Sequence, residues 1–296
     1  MKRVVYICLL LWISQLLMAQ HKQVLQVVWK EHKEEFRYVN EFLLEIDAEK
    51  ADIQIKVVPG NTVRLYLKQS AKNVDVRTAE RELKYNHFVA KKERNRLYLH
   101  NYAQLAAASK GLSSIIDNEY VIEIPKHCHL KIKNELGEVR VQGLSTTMRY
   151  DLQYTGLEVN DSQGKIYVDS RIGDVALKNC QMDAEFILEN VSLKLQESGG
   201  SFDIQAQFGS IACMLSEDLS LFNANLEHCE TTFINRTAID YDYAISVENA
   251  HISVLDDLIK EQIERENDKR AVLRSKSADA VGTLLVKSAY GDVNLY

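Results

Sequence analysis

Residues 170–178 read SRIGDVALK, and residues 288–296 read SAYGDVNLY. This near-repetition belongs to a longer pattern, because Gly137, Gly173 and Gly209 are each 36 residues apart. Apolar pairs recur at half that step, which gives the sequence a repeat of about 18 residues. The first column of pairs reads Val139/Val141, Leu157/Val159, Val175/Leu177, Leu193/Leu195, Ile211/Cys213 and Cys229/Thr231. The second column reads Leu130/Ile132, Met148/Tyr150, Ile166/Val168, Ala184/Phe186, Phe202/Ile204 and Ser220/Phe222.

Within each pair the two residues are two positions apart, which is the period of a β-strand and not of a helix. Each unit therefore supplies two short strands with one buried face. A fixed repeat of short strands predicts stacked coils, in which each coil covers the apolar face of the next. We predict an all-β chain folded as a parallel β-helix, or β-solenoid, with about 18 residues per coil. The glycines fall where a coil turns, and glycine permits a positive φ there.

The register slips near the C-terminus. Ile252 and Val254 continue the first column after five extra residues, and Val293 and Leu295 continue it after 23 more. The two stretches quoted above are then equivalent coils. The longer insertion lies at about residues 256–278.

This insertion contains DDLIKEQIERENDKR, in which opposite charges such as Glu266 and Arg270 are four residues apart. The spacing predicts a short charged helix or a flap carried on the stack. Because the sequence ends inside the last coil, we expect the insertion to cover the open end of the stack and to leave a monomer. End-to-end dimerisation through Val293 and Leu295 is the alternative.

The N-terminus, MKRVVYICLLLWISQLLMAQ, places Lys2 and Arg3 before an apolar run that ends close to Ala19. This order predicts a secretory signal peptide over residues 1–19, and no later stretch is apolar enough to be an integral membrane segment. The chain would then be secreted across the inner membrane, to the periplasm or the cell surface. Residues 20–125 predict an irregular β region, either a cap of the same solenoid or a small β domain, and residues 126–296 hold the repeat.

The sequence contains few motifs that predict nucleic-acid, cofactor or metal binding. The formal net charge is −6, and no basic stripe interleaved with aromatic residues predicts a nucleic-acid partner. No nucleophile motif, phosphate loop or metal-protease signature predicts a cofactor. In HCH, residues 127–129, a strand would place His127 and His129 on one face, where they could hold a metal, with Cys128 on the other. Incidental histidines on an exposed strand edge are the favoured interpretation.

A polysaccharide-cleaving enzyme on this scaffold would need carboxylates that converge in one outer groove. Asp151 above Asp169 is the single neighbouring carboxylate pair found in the columns, and Ile187 follows it. We therefore predict no catalytic residues. Cys213 and Cys229 fall in different inward columns, with Cα atoms about 8 Å apart, and are predicted to be buried free thiols.

One stretch carries a family resemblance. Residues 119–144, EYVIEIPKHCHLKIKNELGEVRVQGL, followed by repeated GDV coils, resemble bacterial adhesin-like domains of unknown function that are related to head-GIN adhesin-like proteins. The resemblance covers most of the mature chain, but its motifs are structural. It implies a parallel β-solenoid exported to the envelope of a Gram-negative bacterium, and it has no catalytic residues to transfer.

The sequence and the resemblance together predict a non-enzymatic binding, adhesin-like or scaffold module of the cell envelope. Its predicted partner is an unknown envelope protein or a glycan. The alternative function is a carbohydrate-active enzyme, a lyase or a hydrolase, on the same β-helix scaffold.

Overall fold

The computed structural model describes residues 24–104, 111–236 and 239–296, so the predicted signal peptide at residues 1–19 lies outside the described residues. The described residues form eighteen β-strands and two α-helices. In chain order they are β1 Gln26–Arg37, β2 Leu43–Val57, β3 Thr62–Asn73, α1 Val76–Leu83, β4 Asn86–Glu93, β5 Arg96–Ala103, β6 Ile115–Ile124, β7 His129–Gln142, β8 Ser145–Asn160, β9 Gln163–Lys178, β10 Gln181–Gln196, β11 Gly199–Met214, β12 Leu219–Ile234, β13 Tyr241–Glu248, β14 Ile252–Val254, α2 Asp257–Lys260, β15 Ile263–Asn267, β16 Arg270–Ser275, β17 Gly282–Ala289 and β18 Val293–Leu295.

The strands form one long sheet in which most neighbours run parallel, and the prediction of an all-β, solenoid-like chain is confirmed. Through β7, β8, β9, β10 and β11 the paired residues are 18 apart in sequence, as Leu193 shows by pairing with Val175 and Ile211. Each strand, or pair of short strands, at one level of the stack is called a rung below.

The core is built from the inward columns. In β10 the residues Leu193 and Leu195 are buried, while Gln196 is turned to solvent. Equivalent residues of the rungs above and below are also buried, so every inward side chain packs between two others. Complete burial of one such leucine contributes roughly 1.5–3 kcal/mol relative to exposure.

The register lengthens by two residues between β11 and β12. Phe202 pairs with Phe222 and Ile211 pairs with Thr231, whereas the rungs before them keep the shorter, constant step. The predicted placement of Ser220 and Cys229 in the sixth coil is therefore wrong by two residues. One additional residue is in the turn between Met214 and Leu219, where the Leu219 backbone N–H donates to the Ser216 carbonyl. The other is Ser220, a bulge between Leu219, which pairs with Gly200, and Leu221, which pairs with Ser201.

The end of the chain does not form the end of the stack. β17 pairs in parallel with β12 on one edge and with β13 on the other, and β18 lies likewise between β12 and β14. The prediction of an exposed last coil is thus wrong, because Val293 and Leu295 are enclosed between two rungs. The predicted equivalence of the quoted stretches is confirmed by pairing, since Val293 occupies the column that runs from Val175 through Thr231.

The charged insertion is mostly a β-hairpin. Its helix, α2, has four residues, and it is followed by β15 and β16, which pair antiparallel. The predicted Glu266–Arg270 ion pair exists at 3.0 Å, but it closes a hairpin and not a helical turn. β16 pairs antiparallel with the outer edge of β13, so the insertion covers this end of the stack, as expected. It does so on the rung that precedes it in sequence and not on the last one.

The N-terminal half is continuous with this stack. β2 pairs in parallel with β7, as Leu44 opposite Leu130 shows, and its other edge pairs with β5 and then with β6. Antiparallel strands complete this end, with β4 on β5, β3 on β6 and β1 on β3. α1 lies beside β3 and begins at Asp75, whose carboxylate accepts hydrogen bonds from the backbone N–H groups of Arg77 and Thr78.

The spacing of Gly173 and Gly209 has a steric cause. A Cβ added to Gly173 would lie 2.4 Å from the Thr155 carbonyl oxygen, and one added to Gly209 would lie 2.1 Å from that of Val191. Neither glycine has a positive φ, so both supply space and not the conformation expected from the sequence. Thr155 and Val191 are buried on the alternate rungs, which explains why glycine and larger residues alternate along this column.

Candidate functional site

A row of side chains with positive φ runs along the corner of the stack. We call the part of this row in which most side chains are apolar or aromatic the corner ridge, and it consists of Leu136, Tyr154, Ile172, Asn190, Phe208, His228 and Tyr290. Lys50 and Asn249, which also have a positive φ, continue the row beyond its two ends. The φ angles of the ridge residues range from 51° at Tyr154 to 70° at Leu136. The apolar and aromatic members are between 43% and 56% exposed. At about 4.8 Å per rung the ridge extends over about 29 Å.

The ridge combines a left-handed backbone conformation with exposed apolar side chains. A left-handed conformation costs an L-residue roughly 1–2 kcal/mol, and a β-branched residue such as Ile172 rarely adopts it. Exposure of these side chains forgoes the burial that could offset this cost. Apolar residues that are both exposed and in a strained conformation are typical of surfaces that contact another molecule.

Three rings of the ridge stack on successive rungs. The centroids of Phe208 and His228 are 5.1 Å apart with planes at 6°, and those of His228 and Tyr290 are 4.8 Å apart at 13°. His228 lies beside Phe208 because the register between β11 and β12 is two residues longer than in the preceding rungs. Tyr154 and Phe208 are both about half exposed.

A groove follows the ridge on the outer face of the sheet. Two cavities of about 480 and 450 Å³ share Asp169, Ile187 and Gln205 and thus form one depression. We call it the outer groove, and it is lined chiefly by Lys131, Arg149, Asp151, Tyr167, Asp169, Glu185, Ile187, Asp203, Gln205 and Asn225. Arg171 and Glu189, which immediately precede two ridge residues, also line it. The ridge therefore runs beside the groove, although no ridge residue lines either cavity.

The floor of the groove mixes apolar and charged groups. The guanidinium of Arg149 lies over the Tyr167 ring, 4.8 Å from its centroid, and this contact orients both side chains. Ile187, one rung from Asp169, is 57% exposed and presents an aliphatic surface at the centre of the groove. The groove thus offers apolar contact beside hydrogen-bonding groups.

Two carboxylate pairs line the groove. Asp151 pairs with Asp169 across β8 and β9, as the sequence predicted, and Glu185 pairs with Asp203 across β10 and β11. The second pair was missed, although the constant step of the repeat places its members one above the other two positions earlier in the coil. Among the described residues no group of three or more His, Cys, Asp or Glu side chains is arranged to hold a metal ion.

The predicted metal candidates lie at the start of β7, away from these carboxylates. His127 is in a turn and not in a strand, and its Nδ1 lies 2.9 Å from the Ser145 carbonyl oxygen. His129 Nδ1 lies 2.8 Å from Thr146 Oγ1. The expectation of two imidazoles on one strand face is wrong for this reason, and the interpretation of His127 and His129 as incidental histidines stays a prediction.

The cysteines Cys128, Cys180, Cys213 and Cys229 are buried and free, which confirms the prediction for Cys213 and Cys229. The register that separates Cys213 from Cys229 differs from the predicted one. Cys213 pairs with Phe233, and Cys229 pairs with Gly209. Burial raises the pKa of the Cys213 thiol to about 12, so the thiolate is disfavoured at neutral pH.

No protein-family model matches this chain, and no curated protein matches it. Similar solved structures include a "putative adhesin" from Parabacteroides distasonis ATCC 8503, which is 9% identical with a TM-score of 0.42 and covers 90% of this chain and 97% of that chain. A "putative lipid binding protein" from the same strain is 12% identical with a TM-score of 0.36 and the same coverage. A "putative cell adhesion protein" from Clostridium sporogenes ATCC 15579 is 10% identical with a TM-score of 0.25, covering 90% and 99%.

Likenesses at this level carry no argument about function. Within the described residues, no helix is both long enough and apolar enough to cross a membrane.

Proposed function

We propose that this chain is a non-enzymatic binding module of the cell envelope, and that it binds an extended glycan in the outer groove. The observation that carries the proposal is the continuous depression along the rungs, which runs beside the corner ridge. Carboxylates and side-chain amides in the groove can accept hydrogen bonds from sugar hydroxyls, and Tyr167 and Ile187 can contact the apolar faces of sugar rings. The acidic floor disfavours an anionic ligand such as a nucleic acid.

The test begins with a glycan array probed with the labelled full chain, and any bound oligosaccharide is then titrated by calorimetry. Asp169→Asn keeps the shape of a floor residue and removes its charge, and we expect it to weaken binding at least tenfold. Asp174→Asn is the matched control, because Asp174 is in the same rung but on the other side of the corner, outside the groove. The proposal is contradicted if the array is empty, or if both variants weaken binding equally.

A carbohydrate-active enzyme is the second candidate, and the two carboxylate pairs of the groove favour it. Glycoside hydrolysis uses two carboxyl groups that flank the scissile bond, and the groove offers Asp151, Asp169, Glu185 and Asp203. Incubation of the chain with each bound oligosaccharide, followed by an assay for new reducing ends or unsaturated products, distinguishes the two functions. Release of product by the wild type and its loss in Glu185→Gln would establish the enzyme.

Export is part of the proposal. We propose that residues 1–19 direct secretion across the inner membrane and are removed, so that the mature chain begins at Gln20. Fractionation of the expressing bacterium should find the chain in the periplasm or on the surface, and N-terminal sequencing should read QHKQV. Recovery of the uncut chain from the cytoplasm would contradict this part of the proposal and leave the groove experiment unaffected.

A further inference from the structure

The last two strands fill a slot between rungs that precede them in sequence. We call the space between β12 on one side and β13 with β14 on the other the strand slot, and β17 and β18 occupy it. Residues 283–289 pair with both β12 and β13. Beyond the corner, the Val293 backbone N–H donates to the His251 carbonyl, and the Tyr296 N–H donates to that of Phe233. An empty slot would expose two unpaired strand edges.

The slot recognises a particular sequence. Leu284, Val286 and Val293 project into the core and are fully or almost fully buried. Gly282 and Gly291 lie against the backbone of β12, and a Cβ on either would lie 2.2 Å or less from a carbonyl oxygen. The slot therefore selects an extended strand with apolar residues and glycines at set positions, which is how sheet edges recognise added strands.

The strand reaches its slot through a short connection. β16 pairs with the far edge of β13, so residues 276–281 must pass from one side of β13 to the other. This hinge is held by few contacts, among them the Ser277 backbone N–H to Asp242 Oδ1 at 3.0 Å and the Val281 N–H to the Asp240 carbonyl at 3.0 Å. If the hinge straightens, β17 and β18 can leave the slot, and β13 and β14 then lose their connection to β12, because β17 and β18 supply the strand pairing between them.

We propose that the strand slot is an acceptor for the β17–β18 strand of a second copy of this chain, so that two copies can exchange these strands and form a dimer. Every contact that holds the strand within one chain is reproduced between chains, because the donated sequence is identical. Exchange of an identical element needs only a hinge that opens, which residues 276–281 provide.

The length of the hinge can distinguish a strand that occupies the slot of its own chain from a strand that is exchanged with a second copy. Ser275 is opposite Tyr243 and Gly282 is opposite Tyr241, on the two edges of β13. Two strand spacings and an offset of two residues put their Cα atoms about 12 Å apart. After deletion of residues 277–280, three peptide units remain and span at most about 11 Å. The strand can then no longer enter the slot of its own chain, but it can still enter that of another.

The experiment compares the full chain carrying this deletion with a control in which residues 277–280 are replaced by Gly-Ser-Gly-Ser at unchanged length. Light scattering after size-exclusion chromatography should give the deletion variant twice the mass of the control. A folded deletion variant with the same mass as the control would overturn the proposal.

A second measurement covers a deletion variant that fails to fold. The variant is refolded with a synthetic peptide of residues 281–296, and separately with the same peptide carrying Gly291→Val. The first peptide should restore the circular dichroism and cooperative melting of the control, and the second should not. Failure of the first peptide, or equal action of both, would overturn the proposal, because the slot would then not accept a matching strand from another molecule.

Discussion

Replacement of Gly173 by alanine tests the steric account of the repeat. The new Cβ would lie 2.4 Å from the Thr155 carbonyl oxygen and 3.1 Å from its carbonyl carbon. Ordinary contact needs about 3.5 Å, so the two rungs must separate locally by about 1 Å. The atom in the way is main chain and cannot rotate aside. Overpacking of this kind costs roughly 1–3 kcal/mol.

The neighbouring rung provides a matched control. Gly156 also has no positive φ, and a Cβ added to it would meet nothing closer than 3.9 Å. Gly156→Ala should therefore be neutral, or stabilise by up to about 1 kcal/mol through the lower entropy of the unfolded chain. Urea unfolding followed by circular dichroism gives the free energy of unfolding for both variants, and Gly173→Ala should be less stable by about 2 kcal/mol. Equal stabilities would refute the close approach as the reason for the glycine period.

Three further variants or treatments test the core and the N-terminal end. Leu193→Asp should lower the free energy of unfolding by roughly 3–5 kcal/mol, because it buries an unpaired charge between Val175 and Ile211. Ile187→Asp, on the exposed face of the same strand, should change the free energy of unfolding by less than about 1 kcal/mol. The four buried cysteines should react with a thiol reagent only after unfolding, and reaction in native buffer would show that the core opens. Burial acts to raise the pKa of Glu82, but hydrogen bonds from Ser114 and Ser113 outweigh it and hold that pKa below its usual value of 4.5. Its stabilising contribution is therefore complete above pH 4.5 and is lost as the pH falls through the lower folded-state pKa, so the melting temperature of Glu82→Gln should fall less than that of the wild type on acidification.

The column pattern could be predicted from the sequence because the inward face repeats at a constant step. The same pattern could not reveal the two additional residues, one in the turn before β12 and one at the Ser220 bulge. Side chains alternate with a period of two, so a slip of two residues keeps the same face inward and leaves Cys229, Thr231 and Phe233 equally acceptable. The shift is visible only in the pairing of Thr231 with Ile211 and of Phe233 with Cys213.

The order of the rungs was also beyond the sequence. The columns show which residues occupy equivalent positions in different rungs, but they do not show which rungs are neighbours. Val293 fits equally well beside Thr231 or beside Ile252, and in the structure it lies between the two. The same ambiguity affects β2, which is separated from the regular repeat by four other strands and yet pairs with β7.

The candidate site was predictable only in part. Asp151 and Asp169 were found because carboxylates stand out in a column, and Glu185 with Asp203 could have been found by the same inspection. The corner ridge could not, because glycine is the usual residue at a positive φ and the glycines lie one position later. The left-handed residue is instead the one before each glycine, such as Ile172 before Gly173.

The ridge supplies a direct test of whether its apolar residues serve the fold or a ligand. In Ile172→Asn, loss of the half-buried isoleucine should cost about 1 kcal/mol, and relief of the left-handed strain should return about 1 kcal/mol, since asparagine adopts this conformation readily and Asn190 does so in the same ridge. Urea unfolding should then give a free energy within about 1 kcal/mol of the wild type, while calorimetry should show weaker binding of the groove ligand. Ile172→Val is the control that keeps both the strain and the apolar surface, and it should bind as the wild type does. If Ile172→Asn instead lost more than about 2 kcal/mol with ligand affinity unchanged, the ridge would be required by the fold, and the strain along it would no longer point to a binding surface.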